Sequence, residues 1–286
     1  LSNESAWSSH GTVHIDTVSP VITLNGASTE TIVQGTVYND AGATAADAAE
    51  GDVSLNLGTT NLVDSNTPGT YTVTYNARDT AGNNALPAYR TVQVVSNTDL
   101  NGDGTADALQ SNVSSYQSAI TGKTVLIDVG DGCDITTDDL ILESDIEIDD
   151  PNFTYENGLF DFAGDCGTPG FTTSVKLYYY GIPRGELVGR KFNPNTQRYS
   201  SIPGAIIEET TINAAPVTIL SYAITDGGEL DTDGQVNGEF SDPAGIALAN
   251  RANDNVALVA TGQSQYLYII FTTATVLLSV AFFGKN

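Results

Sequence analysis

From Val21 to Val95 the chain is a succession of short β-branched and aromatic runs, and no stretch of helical period separates them. Val21-Ile-Thr-Leu24, Thr31-Ile-Val33, Val53-Ser-Leu-Asn-Leu57, Tyr71-Thr-Val-Thr-Tyr75 and Thr91-Val-Gln-Val-Val95 are the runs. Several alternate apolar and polar residues with period two, which puts every second side chain on one face of a half-buried strand. Asn25-Gly26, Pro68-Gly69 and Ala81-Gly82-Asn83 supply turns between them. Strands at this spacing, each with one apolar face, are expected to bury those faces as a β-sandwich.

The order of the motifs adds a resemblance. Asp16-Thr-Val-Ser-Pro20-Val-Ile-Thr-Leu-Asn-Gly26 is followed by Tyr38-Asn-Asp40-Ala-Gly42, Gly51-Asp52-Val53, Pro68-Gly-Thr-Tyr71 and Asp79-Thr-Ala-Gly82-Asn83. Residues 17–95 thereby resemble the bacterial immunoglobulin-like repeat of the pesticidal crystal protein type. The resemblance implies a stalk or spacer unit on an exported protein. Residues 1–16 resemble the closing strand of a preceding repeat, or a donor-like strand that pairs with a neighbouring subunit; a frayed chain end is the other reading. The chain opens on Leu1 and contains no methionine, so it is expected to be a piece of a longer exported protein.

Residues 96–110 read as a linker that carries the clearest chemical motif. In Asp99-Leu-Asn101-Gly-Asp103-Gly-Thr105-Ala-Asp107 oxygen-bearing side chains occupy every second position, the pattern that wraps a hard cation, and Gly104 permits the sharp turn such loops need. Asp99, Asn101, Asp103, Thr105 and Asp107 are the expected Ca²⁺ ligands. Position 12 of the loop is Gln110, so the bidentate Glu of an EF-hand is missing, and the motif is closer to dockerin and thrombospondin type 3 loops. A bound ion is expected to be structural.

Residues 111–250 again read as strands: Thr124-Val-Leu-Ile-Asp-Val129, Leu140-Ile-Leu142, Phe160-Asp-Phe162, Val175-Lys-Leu-Tyr-Tyr-Tyr180 and Val217-Thr-Ile-Leu-Ser-Tyr222. Lys176 is expected to point to solvent. Cys133 and Cys166 are the only cysteines, and neither has a CxxC partner that would signal a zinc or redox motif. A disulfide between them, hence an oxidising compartment, is the favoured reading over two free thiols. This half resembles the choice-of-anchor U domain of bacterial surface proteins. The resemblance rests on Asn101-Gly-Asp-Gly104 with Asp107 and Gln110-Ser-Asn112-Val, then Cys133 with Cys166, Val175-Lys-Leu-Tyr178, Thr225-Asp226-Gly-Gly228, Asp231-Thr-Asp233-Gly234 and Asp242-Pro243. Gly189-Arg190-Lys191-Phe192 departs from the Arg/Tyr-rich stretch of that family. The family implies a place at the cell surface and brings no catalytic residue. Asp226, Asp231, Asp233 and Asp242 form a second candidate cation set, with an acidic solvated loop as the alternative. Lys176, Arg184, Arg190, Lys191 and Arg198 make up half of the 10 basic residues; they either meet an acidic neighbour or balance local charge.

Residues 251–286 are hydrophobic. Tyr266 to Phe283 is 18 residues without a charge; as a helix it would span about 27 Å, close to the roughly 30 Å hydrocarbon core of a bilayer. Tyr266 and Lys285 stand where interfacial anchors belong, with Phe283 closing the apolar run. Leu258-Val-Ala-Thr261-Gly262 resembles a sortase sorting signal with Val259 in place of Pro. The expected fold is therefore all-β: tandem immunoglobulin-like and second β-sandwich domains, plus one C-terminal hydrophobic helix.

Charge excludes one class of partner. With 35 acidic against 10 basic residues the formal charge is −25, which repels nucleic acid and anionic lipid headgroups and attracts cations. The expected function is a non-catalytic, membrane-anchored structural or adhesive protein of the cell surface with an unknown surface ligand. The partners are a membrane through the C-terminal helix, or identical subunits in a filament whose core holds the tail. A glycan-active enzyme working through paired carboxylates is the remaining alternative.

Overall fold

The computed structural model describes residues 15–181 and 186–250. The readings placed on residues 1–14, on Arg184, and on Leu258, Thr261, Gly262, Tyr266, Phe283 and Lys285 lie outside the described residues. The described chain is all-β, with three short 3-10 turns as its only helical elements. It divides into two compact units. One runs to Asp99 and resumes at Asp103–Gln110; the other holds Leu100–Gly102 and the chain from Ser111 onward.

The first unit contains β1 (Val21–Leu24), β2 (Thr29–Val33), β3 (Ala43–Asp47), β4 (Gly51–Asp52), β5 (Gly58–Asn61), β6 (Gly69–Asn76) and β7 (Ala88–Val95). They form a β1-β3-β4 sheet and a β2-β7-β6-β5 sheet, antiparallel throughout except for the parallel β2–β7 pair. Ile22, Leu24 and Ala43 of the first sheet pack on Val73, Tyr75 and Val92 of the second, which makes the unit a sandwich. The alternation of β6 explains its register: Val73 and Tyr75 are wholly buried, and Thr72 between them and Tyr71 is exposed. The run Val53–Leu57 departs from expectation. Ser54–Asn56 is a 3-10 turn, because Asp52 Oδ1 accepts the Ser54 N–H and the Ser54 hydroxyl bonds to the Ala45 backbone. The turn buries Val53 and leaves Leu55 fully exposed; pairing begins only at β5.

The second unit contains β8 (Val113–Gln117), β9 (Thr124–Asp128), β10 (Asp134–Ile141), β11 (Phe153–Thr154), β12 (Leu159–Asp165), β13 (Thr172–Tyr180), β14 (Leu187–Asn193), β15 (Arg198–Ser201), β16 (Ile206–Ile212), β17 (Ala215–Thr225), β18 (Glu239–Ser241) and β19 (Ala244–Ala249). A seven-stranded sheet follows the path β10-β12-β19-β14-β15, with β11 paired to β19 and β18 to β12; a five-stranded sheet has the order β16-β17-β13-β9-β8. Val175, Leu177 and Tyr179 of β13 face Phe160, Phe162 and Ile246 of the larger sheet across the main core. Lys176 points to solvent, as its place in the alternation predicts. Leu126, Tyr178, Val217 and Ile219 form a second buried cluster with Leu100 and Ile212. Strands buried on both faces read as near-continuous apolar runs, which is why Tyr178-Tyr-Tyr180 lacks alternation.

Candidate functional site

In the linker, Gly102 and Gly104 adopt φ of 76° and 92°, left-handed conformations that side chains with a Cβ resist. The turn they permit brings Asp99 and Asp103 together. Asp99 Oδ1 accepts the Asp103 N–H at 3.2 Å and its Oδ2 accepts the Gly104 N–H at 3.0 Å. Asp103 Oδ1 accepts the Thr105 N–H at 2.7 Å, while Gln110 Nε2 donates to its Oδ2 at 2.6 Å. Asn101 is buried in the second unit, its Nδ2 lying 3.4 Å from Asp128 Oδ2. Asp107 opens a 3-10 turn, its N–H bonded to the Thr98 carbonyl.

The acidic loop of the second unit separates its four carboxylates by task. Asp226 receives the N–H groups of Gly170, Gly238 and Asn237 at 2.6, 2.8 and 3.2 Å. Burial pushes its carboxyl up, but these three donors outweigh it and hold the group below the usual carboxylate range. Asp231 accepts from Gly227 and Ser241 N–H, and Asp233 from Gln235 N–H. Asp242 is fully buried, 2.8 Å from Lys191 Nζ, and accepts the Tyr222 hydroxyl at 2.8 Å. Asp226, Asp231 and Asp233 thus receive backbone amides that brace the loop, while Asp242 is paired with a buried lysine.

Three buried cations share one design. Arg90, with no exposure, sets Nη1 2.5 Å from Asp40 Oδ1, which also accepts the Tyr75 hydroxyl. Arg190 Nη2 lies 2.7 Å from Asp150 Oδ2, which accepts the Tyr155 hydroxyl. Lys191 repeats the pattern with Asp242 and Tyr222. In each, the carboxylate is neutralised by a cation and further satisfied by a phenol, as buried charge requires. Arg190 and Lys191 are thus internal fasteners, whereas Lys176 and Arg198 are exposed.

Cys133 and Cys166 form a disulfide. β10 and β12 are antiparallel with Asp134 opposite Asp165, so the two cysteines fall opposite one another one step further along.

One further convergence joins residues far apart in the sequence. Asp16, Asp47 and Asp79 each place a carboxylate oxygen within 4.8 Å of the other two. No local spacing marks them, since they come from three separate segments; only the fold reveals the group.

Residues 22–94 match the family of bacterial surface protein Ig-like domains. No curated protein matches the chain. Among solved structures, a crystal structure of a lipoprotein from Bacteroides thetaiotaomicron is 16% identical over 71% of this chain and 98% of that chain. Its TM-score of 0.27 is too low for the likeness to bear on fold or function.

Proposed function

We propose that the chain is a non-catalytic structural module of a bacterial cell-surface protein, a spacer that carries an adhesive or anchoring role. The match of residues 22–94 to an Ig-like domain of bacterial surface proteins carries the reading. The Cys133–Cys166 disulfide supports an oxidising, extracellular setting. Buried ion pairs that fasten strands favour a mechanical over a catalytic use of the charged residues. Calcium held by the Asp99–Asp107 loop, and membrane attachment through the apolar 266–283 segment, belong to the same reading. The alternating oxygen ligands support the first, and 18 uncharged residues support the second.

That apolar segment also favours a second reading, a filament subunit with its tail packed among copies. Protease treatment of intact producing cells tests the surface location: the protein should be cleaved from outside, and full protection until lysis would sink the proposal. Electron microscopy of native material separates anchor from filament. Hydrolysis of any glycan in a panel, lost on an Asp→Asn change, would overturn the non-catalytic assignment.

A further inference from the structure

We propose that Asp16, Asp47 and Asp79 hold a calcium ion at one end of the first unit's sandwich, where β1 begins and β3 ends. This site is separate from the Asp99–Asp107 loop and independent of where the protein resides.

Each carboxylate is fixed by its own turn. Asp47 Oδ1 accepts the N–H groups of Ala49 and Glu50 at 2.7 and 3.1 Å. Asp16 Oδ1 accepts the Val18 N–H at 3.0 Å. Asp79 accepts the backbone N–H and the side-chain amide of Asn83 at 2.6 and 2.8 Å, and that amide also donates to the Asp16 carbonyl at 3.2 Å. Thr80, bonded through its N–H and hydroxyl to Glu50, ties the β3–β4 turn to the loop after β6. The arrangement is therefore organised before any ligand arrives.

What it lacks is a counter-charge. Asp47 is 6% exposed and Asp79 5%, yet the Oδ2 atoms of Asp16 and Asp47 are buried without a hydrogen-bond partner. None of the four ion pairs among the described residues reaches them. Three anions this close repel one another, and a buried carboxylate oxygen with no donor is an expensive exception that needs a cause. A cation is the economical one.

The donor set selects the ion. All three donors are carboxylate oxygens, which favour a hard cation over zinc or copper. Two oxygens bound to calcium at about 2.4 Å can be at most about 4.8 Å apart, and the three oxygens here lie within 4.8 Å of one another. Carbonyls and waters would complete a shell of about six to eight oxygens. Such an ion would clamp three segments distant in sequence: the chain before β1, the β3–β4 turn and the β6–β7 loop.

The test uses the purified full chain, stripped with chelator and titrated with CaCl2 by calorimetry. Asp47→Asn and Asp79→Asn each keep shape and most hydrogen bonding. Each is expected to remove one equivalent of bound calcium or weaken it at least about tenfold, with the corresponding calcium-dependent rise in Tm lost. Asp103→Asn, in the linker, should leave that equivalent intact. Hydrogen–deuterium exchange on the unmodified chain provides a readout free of folding artefacts: calcium should protect peptides containing Asp16, residues 47–50 and residues 79–83. Unchanged stoichiometry in both Asn variants, or protection absent or confined to the linker, would overturn the proposal.

Discussion

Lys191 Nζ lies 2.8 Å from Asp242 Oδ1 in the interior of the second unit, with only 4% and 0% of the two side chains exposed. Tyr222 donates its hydroxyl to the other oxygen of the same carboxylate, and Lys191 also donates to the Leu230 carbonyl. β14, the β18–β19 connection and β17 therefore meet on one charge. Replacing such a pair by apolar residues can be neutral, but removing one partner leaves an uncompensated buried charge.

Lys191→Met should accordingly cost about 3–5 kcal/mol of unfolding free energy at neutral pH, measured by urea denaturation. The loss should be smaller near pH 5, where Asp242 can take up a proton in place of its lost partner. A loss independent of pH would show that the missing charge is not what destabilises the variant.

Asp242 also gives a signed pH dependence. Burial pushes its carboxyl up to about 6 from 3.8, against the pull of Lys191 and Tyr222. Between these values the folded chain holds a proton that the unfolded chain has released. The group's contribution is therefore full below 3.8 and is lost as pH rises through about 6. The difference in unfolding free energy between wild type and Asp242→Asn should fall with rising pH across that window, by on the order of 1 kcal/mol per pH unit. Asp226 has the opposite sign: its depressed carboxyl stabilises above 3.8, and that contribution disappears as pH falls. Asp226→Asn should flatten the acid limb.

These pairs also mark where sequence stops being informative. The β-rich architecture, the core strands β1, β6, β7, β9, β12, β13 and β17, the disulfide and the solvent-facing Lys176 were legible because period-two alternation and cysteine scarcity are local signals. β3, Ala43-Thr-Ala-Ala-Asp47, was not, since alanine has weak strand preference and its role comes from the partner it packs on. β14 was obscured by Arg190 and Lys191, which look like surface residues until Asp150 and Asp242 arrive from 40 and 51 positions away. Asp16, Asp47 and Asp79 were unreadable as a group for the same reason. In the Asp226–Asp242 loop the composition alone did not show that the carboxylates receive backbone amides, because the donors at Gly170 and Gly238 are brought to Asp226 by the fold.

The disulfide closes a loop with a sequence separation of 33. In the chain-entropy account a crosslink of that span contributes about 3–4 kcal/mol by restricting the unfolded chain. In Cys133→Ser with Cys166→Ser the loss of the crosslink should lower the second unit's stability by up to that amount, less if a reduced chain retains structure. Because Cys133 sits in the main core, the double serine variant should also lose apolar packing. Reduction of the unmodified protein isolates the crosslink alone, and identical unfolding curves before and after reduction would contradict the assignment.

Asp40 does for the first unit what Asp242 does for the second, and a single substitution there should be felt by three side chains. Its Oδ1 is 2.5 Å from Arg90 Nη1 and accepts the hydroxyls of Tyr75 at 2.5 Å and Tyr38 at 3.1 Å. Arg90 is wholly buried and cannot shed its proton; its other donors go to the carbonyls of Ala27, Asn25 and Gly42. Asp40→Ala therefore leaves the permanent cation with only the more distant, partly exposed Glu30, 3.5 Å from Arg90 Nε, and removes the acceptor of two phenols, whereas Asp40→Asn keeps an acceptor and loses only the charge. The expected order of unfolding free energies is wild type, Asn, Ala, with Ala about 3–5 kcal/mol below wild type. Adding Arg90→Met to Asp40→Ala should recover part of the loss, because it removes a buried charge that Glu30 alone compensates poorly. A double variant less stable than Asp40→Ala alone would mean that Arg90 acts chiefly through its three carbonyl contacts, which join the β1–β2 turn to the start of β3.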